Sequence, residues 1–596
     1  MRLHKLTVSN FRGIKELTWL PQGSLTCLIG PGDSTKTTIL DALGLALTTR
    51  ISVGLCDADF YDGKIENPII IEVILADLPD DLISLDSLGA FLCGIAEDGT
   101  VKTDPEEGDS KGLAVRFRVD ESLEPIWEVF KPDAPDIEPR HLTLTLRAKF
   151  GVFRVDERVD THLRWGRGSA LAAITAGVAG AASTTVEAQR AARKAVFDST
   201  EPSLTSAAAK VKAASNAFGA NNFEDLRVGL DPQALNTGYG LVLHDGDVPL
   251  TGSGLGTRRL TSLSIQEARS VGANVVLIDE VETGLEPHRL AHLLNLLRKR
   301  ADDGAQVIMT THAPLVIEDF GTNGLAIVRC TVDGKVTIKE VPEKVASLDG
   351  DAMQKMIRSG PSAMLARQIT VVEGSTEMGA CRALFDYWDK EQIGAGKEPL
   401  AVSGTAVRNG NGDKQTLERA ECLAGLGFPT LALLDSDNAL TDEENAATNA
   451  GVKVVRWGDD KNFEGRIAED LPQDKLQKLV KAAIKAHADD ETTSTATILN
   501  TVSSKLVNNP TLTGTDPTQW MADNTILLTD MRQAIGEAAH KSGWFKDEQR
   551  GVELGSLLYE LWDEIKDKPL GQRLSELRAF AYPEADGDDE ETEDAT

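Results

Sequence analysis

Polar and apolar positions alternate at the start of the chain, in RLHKLTVSNF, which predicts a half-buried strand. A shorter apolar run, GSLTCLIG, predicts a second strand that stops at Gly30. The period then changes: in TKTTILDALGLAL the residues Ile39, Leu40, Leu43 and Leu47 fall on one helical face. Further along, NVVLI runs into Asp279 and Glu280, and QVIMTT runs into His312. Past residue 365 the pattern restarts. Apolar strands at 369–372, 428–438 and 451–457 alternate with helical stretches, which predicts a parallel α/β sheet. Residues 168–215 are alanine-rich with few breakers and predict inserted helices.

The junction between GSLTCLIG and the helix carries the first chemistry. CLIGPGDSTKTTILDAL follows the phosphate-loop pattern G-x-x-x-x-G-K-[ST], except that Thr35 stands where the second glycine belongs. Strand, glycine loop and helix are the context in which backbone N–H groups and a helix N-terminus hold phosphate. The candidate ATP-binding residues here are Gly30, Asp33, Ser34, Thr35, Lys36, Thr37 and Thr38. Lys36 would reach the β- and γ-phosphates, and Thr37 would hold Mg²⁺. Asp279 and Glu280 end the next apolar strand as a Walker B pair, Asp279 for the ion and Glu280 for the attacking water. TGLEP after them looks like the D-loop of ABC-type ATPases, and His312 resembles their switch histidine. LTGSGLGTRRLTSLSIQEA, with Ser253 and Gly254, resembles a divergent ABC signature, which in that family closes over ATP held by a second copy of the head.

The second chemistry is acidic. Glu373 ends one strand of the downstream sheet, with Glu377 four residues on, and Asp435 and Asp437 end the next. Acids just past strand C-termini meet in the crevice there. Carboxylates without histidine or cysteine suit hard cations, Mg²⁺ or Mn²⁺. Two such ions stabilise the attacking and leaving oxygens of phosphodiester cleavage.

VVEGSTE with LLDSD resembles the Toprim domain. An ABC-type head of the RecF/SMC-like kind followed by Toprim resembles the OLD (overcoming lysogenization defect) family of ATP-dependent endonucleases. That family includes the nuclease subunit of the Gabija antiphage system. The resemblance spans residues 1–170 and 220–580. It implies an α/β chain: head at 1–167 and 220–350, Toprim at 365–475, C-terminal helices at 476–583, and a helical insertion at 168–219 that the resemblance makes a dimerisation arm and the residues alone leave as a plain insertion. It further implies that Glu464 in KNFEGRI joins the metal site, and that Lys546 or Lys541 stabilises the transition state, with Lys546 preferred. The implied partners are DNA, a second copy of the chain or a higher oligomer, and a helicase or other defence protein.

Composition narrows this picture. The formal net charge is −31, and the terminal stretch EADGDDEETEDAT adds acids without a base, so DNA contact requires a local basic track. One candidate is the stripe Lys475, Lys478, Lys481 and Lys485, which is also readable as a solvated helix face. Another is the mixed-charge run Arg140, Arg147, Lys149, Arg154, Arg158, Arg164 and Arg167, read as ordinary strands. The acidic tail, 584–596, reads as disordered. The six cysteines lack C-x-x-C spacing, which argues against zinc or a disulfide framework and fits a cytoplasmic protein. Neither a membrane span nor a secretion signal is expected. None of the five tyrosines (Tyr61, Tyr239, Tyr387, Tyr559, Tyr582) sits in a winged-helix context, against a topoisomerase. No zinc-binding or helicase-interaction segment supports a primase. The leading expectation is an ATP-regulated, metal-dependent DNA endonuclease of phage defence. The alternative is a scaffolding ATPase whose Toprim domain binds nucleic acid without cutting.

Overall fold

The computed structural model describes residues 1–48, 54–84, 88–150, 152–155, 160, 162–165, 171, 201–219, 223–230, 241–269, 275–342, 344–345, 348–488 and 494–583. The chain divides into two compact units, Met1–Val341 and Pro342–Thr596.

The first unit is organised by a sheet that is parallel on one side and antiparallel on the other. Its parallel side runs Val152–Val155, Val275–Ile278, Gln306–Thr310, Leu25–Ile29, Leu325–Cys330. Val275–Ile278 and Gln306–Thr310 are buried at every residue, as expected for parallel strands covered on both faces. The antiparallel side begins at the pair Ile14–Trp19 and Arg2–Phe11, then continues through Ile69–Ala76 and Ser110–Val119. Arg2–Phe11 buries Leu6, Val8 and Phe11, the alternation seen in the sequence. The helix Lys36–Ala46 packs Ile39, Leu40 and Leu43 into the core, with Leu47 just beyond its end also buried. Because the strand before Lys36 lies next to Gln306–Thr310, and that strand next to Val275–Ile278, three strand ends open at one edge. A small separate sheet pairs Leu226–Leu230, Leu241–Asp245, Arg164–Trp165 and Val248–Pro249. Of the predicted helical insertion, Pro202–Ala217 is a helix; most of 168–200 lies outside the described residues, as does the acidic tail.

The second unit is a four-stranded parallel sheet, ordered Thr405–Asn409, Gln368–Val372, Thr430–Leu434, Lys453–Arg456. Helices cover it, and the C-terminal helices share one hydrophobic core with the sheet. The closest helix crossing sets Ser375–Gly394 against Glu548–Glu560. Glycines permit it: a Cβ on Gly379 would lie 2.0 Å from the Glu548 carbonyl oxygen, and one on Gly551 2.4 Å from that of Thr376. One on Gly555 would lie 2.5 Å from the Ala380 oxygen.

The lysine stripe does not remain free for DNA. In the helix Leu476–Ala486 and its lead-in, Lys475 pairs with Glu564 (3.4 Å), Lys478 with Glu560 (2.5 Å) and Lys485 with Glu553 (2.6 Å). Lys481 donates to Gln477 at 3.1 Å. Three of its four lysines form an ion-pair seam against the helix Glu548–Glu560 and Glu564 beyond it rather than a basic track. The run after residue 140 is equally mixed: Arg154 pairs with Asp41, and Arg147 lies 4.0 Å from the centre of the Trp127 ring. Arg158 and Arg167 lie outside the described residues. Among the described residues, no helix is long and apolar enough to cross a membrane.

Candidate nucleotide site and acidic centre

In the first unit the phosphate-loop residues converge on the open strand edge. Gly30 admits no side chain: a Cβ would come within 2.5 Å of the Val328 carbonyl oxygen. Asp33 and Thr35 both lie in the left-handed region, at φ 59° and 64°. Thr35 thus adopts the backbone that favours glycine at its position, and its methyl would lie 3.0 Å from a Cβ on Gly13. Thr38 is half-buried in the first helical turn, and Ser34 is buried.

Lys36 is buried, and its ammonium donates to the carbonyls of Gly30 (3.0 Å) and Pro31 (2.8 Å) and to Ser34 Oγ (2.9 Å). Burial pushes its pKa down to about 8, against the pull of Asp279 and Asp33. Thr37 Oγ1 donates to Asp279 at 3.2 Å, and Thr310 Oγ1 donates to the same oxygen at 2.6 Å. Glu280 sits at φ 43°, its N–H donating to Thr310 Oγ1 (2.8 Å) and its carboxylate accepting from Thr283 (2.8 Å). His312 lies next to this cluster, its pKa lowered by burial and by Lys36, which favours neutral imidazole. Ser253 and Gly254 are half-buried and exposed, and a Cβ on Gly254 would meet nothing within 4 Å. The signature stretch therefore presents an open face. Its following helix, Leu255–Arg269, packs on the D-loop so tightly that a Cβ on Gly256 would sit 2.2 Å from the Gly284 carbonyl oxygen.

Two residues of this site escaped the sequence reading. Arg259 is buried and donates to the backbone carbonyls of Asp279 and Glu280, fixing the turn that aims both acids. Glu282 accepts from Thr311 Oγ1 (2.7 Å) and from the His312 N–H (2.6 Å), tying the D-loop to the switch segment. Each sits inside a motif already singled out, but only the fold shows its target.

In the second unit the sheet brings the predicted acids together. The Glu373 carboxylate accepts from the Asp435 N–H at 2.8 Å, bridging the ends of two adjacent strands. Asp435 accepts from the Phe463 N–H at 2.9 Å, so the strand end also holds the start of the helix Phe463–Asp470. That helix is capped by Asn462, which accepts from the Gly465 N–H, and it carries buried Glu464. Glu377 is buried in the first turn of Ser375–Gly394, where Thr376 donates to the Phe545 carbonyl (3.0 Å). Asp437 is exposed at the rim.

Crowding shows in the proton affinities. Burial, then repulsion from Glu377, Glu373, Glu464 and Asp437, pushes Asp435 up to about 10. Burial and Glu464 push Glu377 up to about 8, and burial raises Glu373. Two cationic side chains the sequence reading missed lie close by: Arg456, which donates to the Asp435 backbone carbonyl at 2.9 and 2.7 Å, and His540, whose Nδ1 lies 3.3 Å from Glu464 and whose pKa that carboxylate raises. Lys546 is close enough to oppose the His540 charge; Lys541 instead pairs with Glu537 at 2.9 Å. Among the described residues, no three His, Cys, Asp or Glu side chains already form a metal-holding group. The donor chemistry still fits a hard cation: carboxylate oxygens, densely packed and short of positive charge.

Residues 25–318 match the family model described as an AAA domain, putative AbiEii toxin, Type IV TA system. An OLD nuclease from Thermus scotoductus is 25% identical over 411 residues, covering 64% of this chain and 74% of that protein. An Smc head domain with an extended coiled coil from Pyrococcus furiosus, bound to the C-terminal domain of ScpA, aligns at 11% identity and a TM-score of 0.35. It covers 60% of this chain and 98% of that one. An SMC head domain from Thermotoga maritima aligns at 14% identity and a TM-score of 0.30, covering 57% and 100%. The phosphate loop, the strand-end acids and the family match define an ATPase head, joined on one chain to a parallel α/β unit with an acidic centre. The chain is a relative of the OLD nucleases, as the order of its motifs implied.

Proposed function

We propose that this protein is an ATP-regulated, divalent-metal-dependent DNA endonuclease whose second unit is a Toprim nuclease domain acting in antiphage or mobile-element defence. The observation that carries the reading is that Glu373 and Asp435, just past the ends of two adjacent parallel strands, are joined by a 2.8 Å hydrogen bond, with Asp437 two residues on and Glu377 and Glu464 buried in the first turns of two helices beside them. The OLD nuclease relative supports the same substrate class.

In this reading the five acids hold Mg²⁺ or Mn²⁺, which would supply an activated water and charge neutralisation at the scissile phosphate. His540 fixes the Glu464 carboxylate through its Nδ1 contact. Lys546 places positive charge where negative charge develops on the phosphoryl oxygens. In the first unit Lys36 would exchange the loop carbonyls for the better acceptors of a triphosphate. Thr37 and Asp279 would hold its magnesium, Glu280 would orient water, and His312 would face the γ-phosphate. The exposed Ser253–Gly254 face closes on the nucleotide of a second copy, so ATP promotes head pairing.

The test is cleavage of supercoiled plasmid by the purified chain with Mg²⁺ or Mn²⁺, with and without ATP, beside Asp435→Ala. Cutting that disappears in the variant is the expected result, and the ATP lanes give the sign of regulation. No cutting under any of these conditions would overturn the reading in favour of a scaffolding ATPase.

A further inference from the structure

A cavity of about 420 Å³ opens beside the acidic centre, lined in part by Ser359, Ser362, Arg408, Asn409, Asn411 and Arg419. Its volume lies within the roughly 300–1,000 Å³ range of ligand sites. It sits at the free edge of the parallel sheet, where Thr405–Asn409 has one neighbour.

The wall of this cavity carries two arginines without a salt bridge, although Glu418, adjacent in sequence, attracts Arg419. Arg408 is only 7% exposed, and its guanidinium donates solely to neutral acceptors: Gly360 O (2.9 Å), Met356 O (2.8 Å) and Ser359 Oγ (2.8 Å). Arg419, half-buried, donates to Asn409 O at 3.0 Å. With its amide turned to satisfy both groups, Asn411 accepts from both Arg419 terminal nitrogens (3.1 and 3.3 Å). Among the described residues, no carboxylate forms an ion pair with either arginine. Burial lowers the pKa of both, Arg408 to about 10, and Arg419 adds to the effect at Arg408. Two guanidiniums acting on each other, neither in a salt bridge, are unexpected in a chain of net charge −31. A desolvated charge needs a partner, and arginine's planar fork matches phosphate oxygens.

The cavity is built onto the acidic centre. The Gly410 N–H donates to Val372 O at 2.7 Å, and the Gly412 N–H to Glu373 O at 2.9 Å. Asn409 Nδ2 donates to Ser375 Oγ at 3.3 Å, between Glu373 and Glu377 in sequence, and Met378 completes the lining.

We propose that this cavity is a phosphate subsite that seats a backbone phosphodiester of the DNA strand flanking the phosphate held at the acids. It rests on the nuclease reading for the identity of the strand. Arg419 and the loop 409–412 set where the strand lies relative to the acids, so the subsite positions substrate and takes no part in bond breaking.

The test is binding of a fluorescein-labelled DNA duplex by the full-length protein in EDTA, read by anisotropy across a KCl series. Arg419→Ala is expected to weaken binding about tenfold and to reduce the salt slope by about 1, with Arg419→Lys in between. Asn411→Asp keeps a residue tolerant of the left-handed backbone at φ 64° and adds a like charge, so it should weaken binding at least as much. Lys478→Ala, whose ammonium is already paired with Glu560, should bind as wild type, and melting curves check that every variant folds. Wild-type affinity and slope in both Arg419→Ala and Asn411→Asp would overturn the proposal. So would inorganic phosphate binding that is lost in the variants while DNA binding is unchanged, since that marks a site for small free anions. Weakened binding by the variants alongside a wild-type protein that cuts no plasmid would leave the subsite standing and remove the nuclease reading.

Discussion

Thr35 holds the left-handed conformation at φ 64°, ψ 15° with a β-branched side chain, a placement that costs on the order of 1–2 kcal/mol. The loop keeps its backbone N–H groups and its helix, so the departure from the glycine pattern strains the loop without dismantling it. Thr35→Gly is therefore expected to raise the melting temperature of the first unit and to leave ATP binding intact. Lys36→Ala is expected to lower ATP affinity by about tenfold or more, the worth of a lost charge-assisted contact. Titration calorimetry with ATP checks both, and equal affinity in wild type and Lys36→Ala would remove Lys36 from the phosphate site. The acidic centre gives a pH prediction at the same scale. Asp435 and Glu377 have folded-state pKa values raised to about 10 and about 8, so the folded chain holds protons that the unfolded chain has released. Their contribution to stability is greatest below the ordinary carboxylate range and is lost as pH rises through those two values. Without metal, the second unit should melt lower at pH 9 than at pH 6. Asp435→Asn should melt higher than wild type at pH 8 in EDTA and show a shallower pH dependence; a variant no more stable than wild type would contradict the crowding.

At the scale of elements, the sequence was most readable where the physics is local. Apolar strands of four or five residues that run into Gly30, Asp279 or Asp435 declare themselves by composition, and Ile39, Leu40 and Leu43 by helical spacing. What escaped depends on partners far along the chain. The lysine stripe looked basic because Glu553, Glu560 and Glu564 lie in a later segment. Arg259 and His540 carry no local mark of what they touch. Gly551 and Gly555, four apart in GVELG, were a visible small-residue signal for close helix packing. Gly551→Leu must push a side chain into the Thr376 backbone beside Glu377. It should cost more than about 3 kcal/mol, seen as a lower urea midpoint for the second unit. Lys478→Ala, by contrast, should leave DNA affinity unchanged, because that ammonium is already neutralised.

At the scale of the whole molecule, the open signature face is the feature that calls for a second copy. Ser253→Glu should leave ATP bound to each chain, since Lys36 and Asp279 are untouched, yet block ATP-dependent pairing. Light scattering after size exclusion, with and without ATP, checks this; ATP-dependent dimers in the variant would exclude the signature face as the contact.

The crowded carboxylates also make the second unit a proton store. At neutral pH the buried acids keep protons that an arriving Mg²⁺ or Mn²⁺ must displace, so ion uptake is an exchange of one cation for another. The heat of metal binding should then shift with the ionisation enthalpy of the buffer, and a weakly buffered solution should acidify as the site fills. The same exchange couples the centre to its surroundings: a modest fall in pH competes directly with the metal.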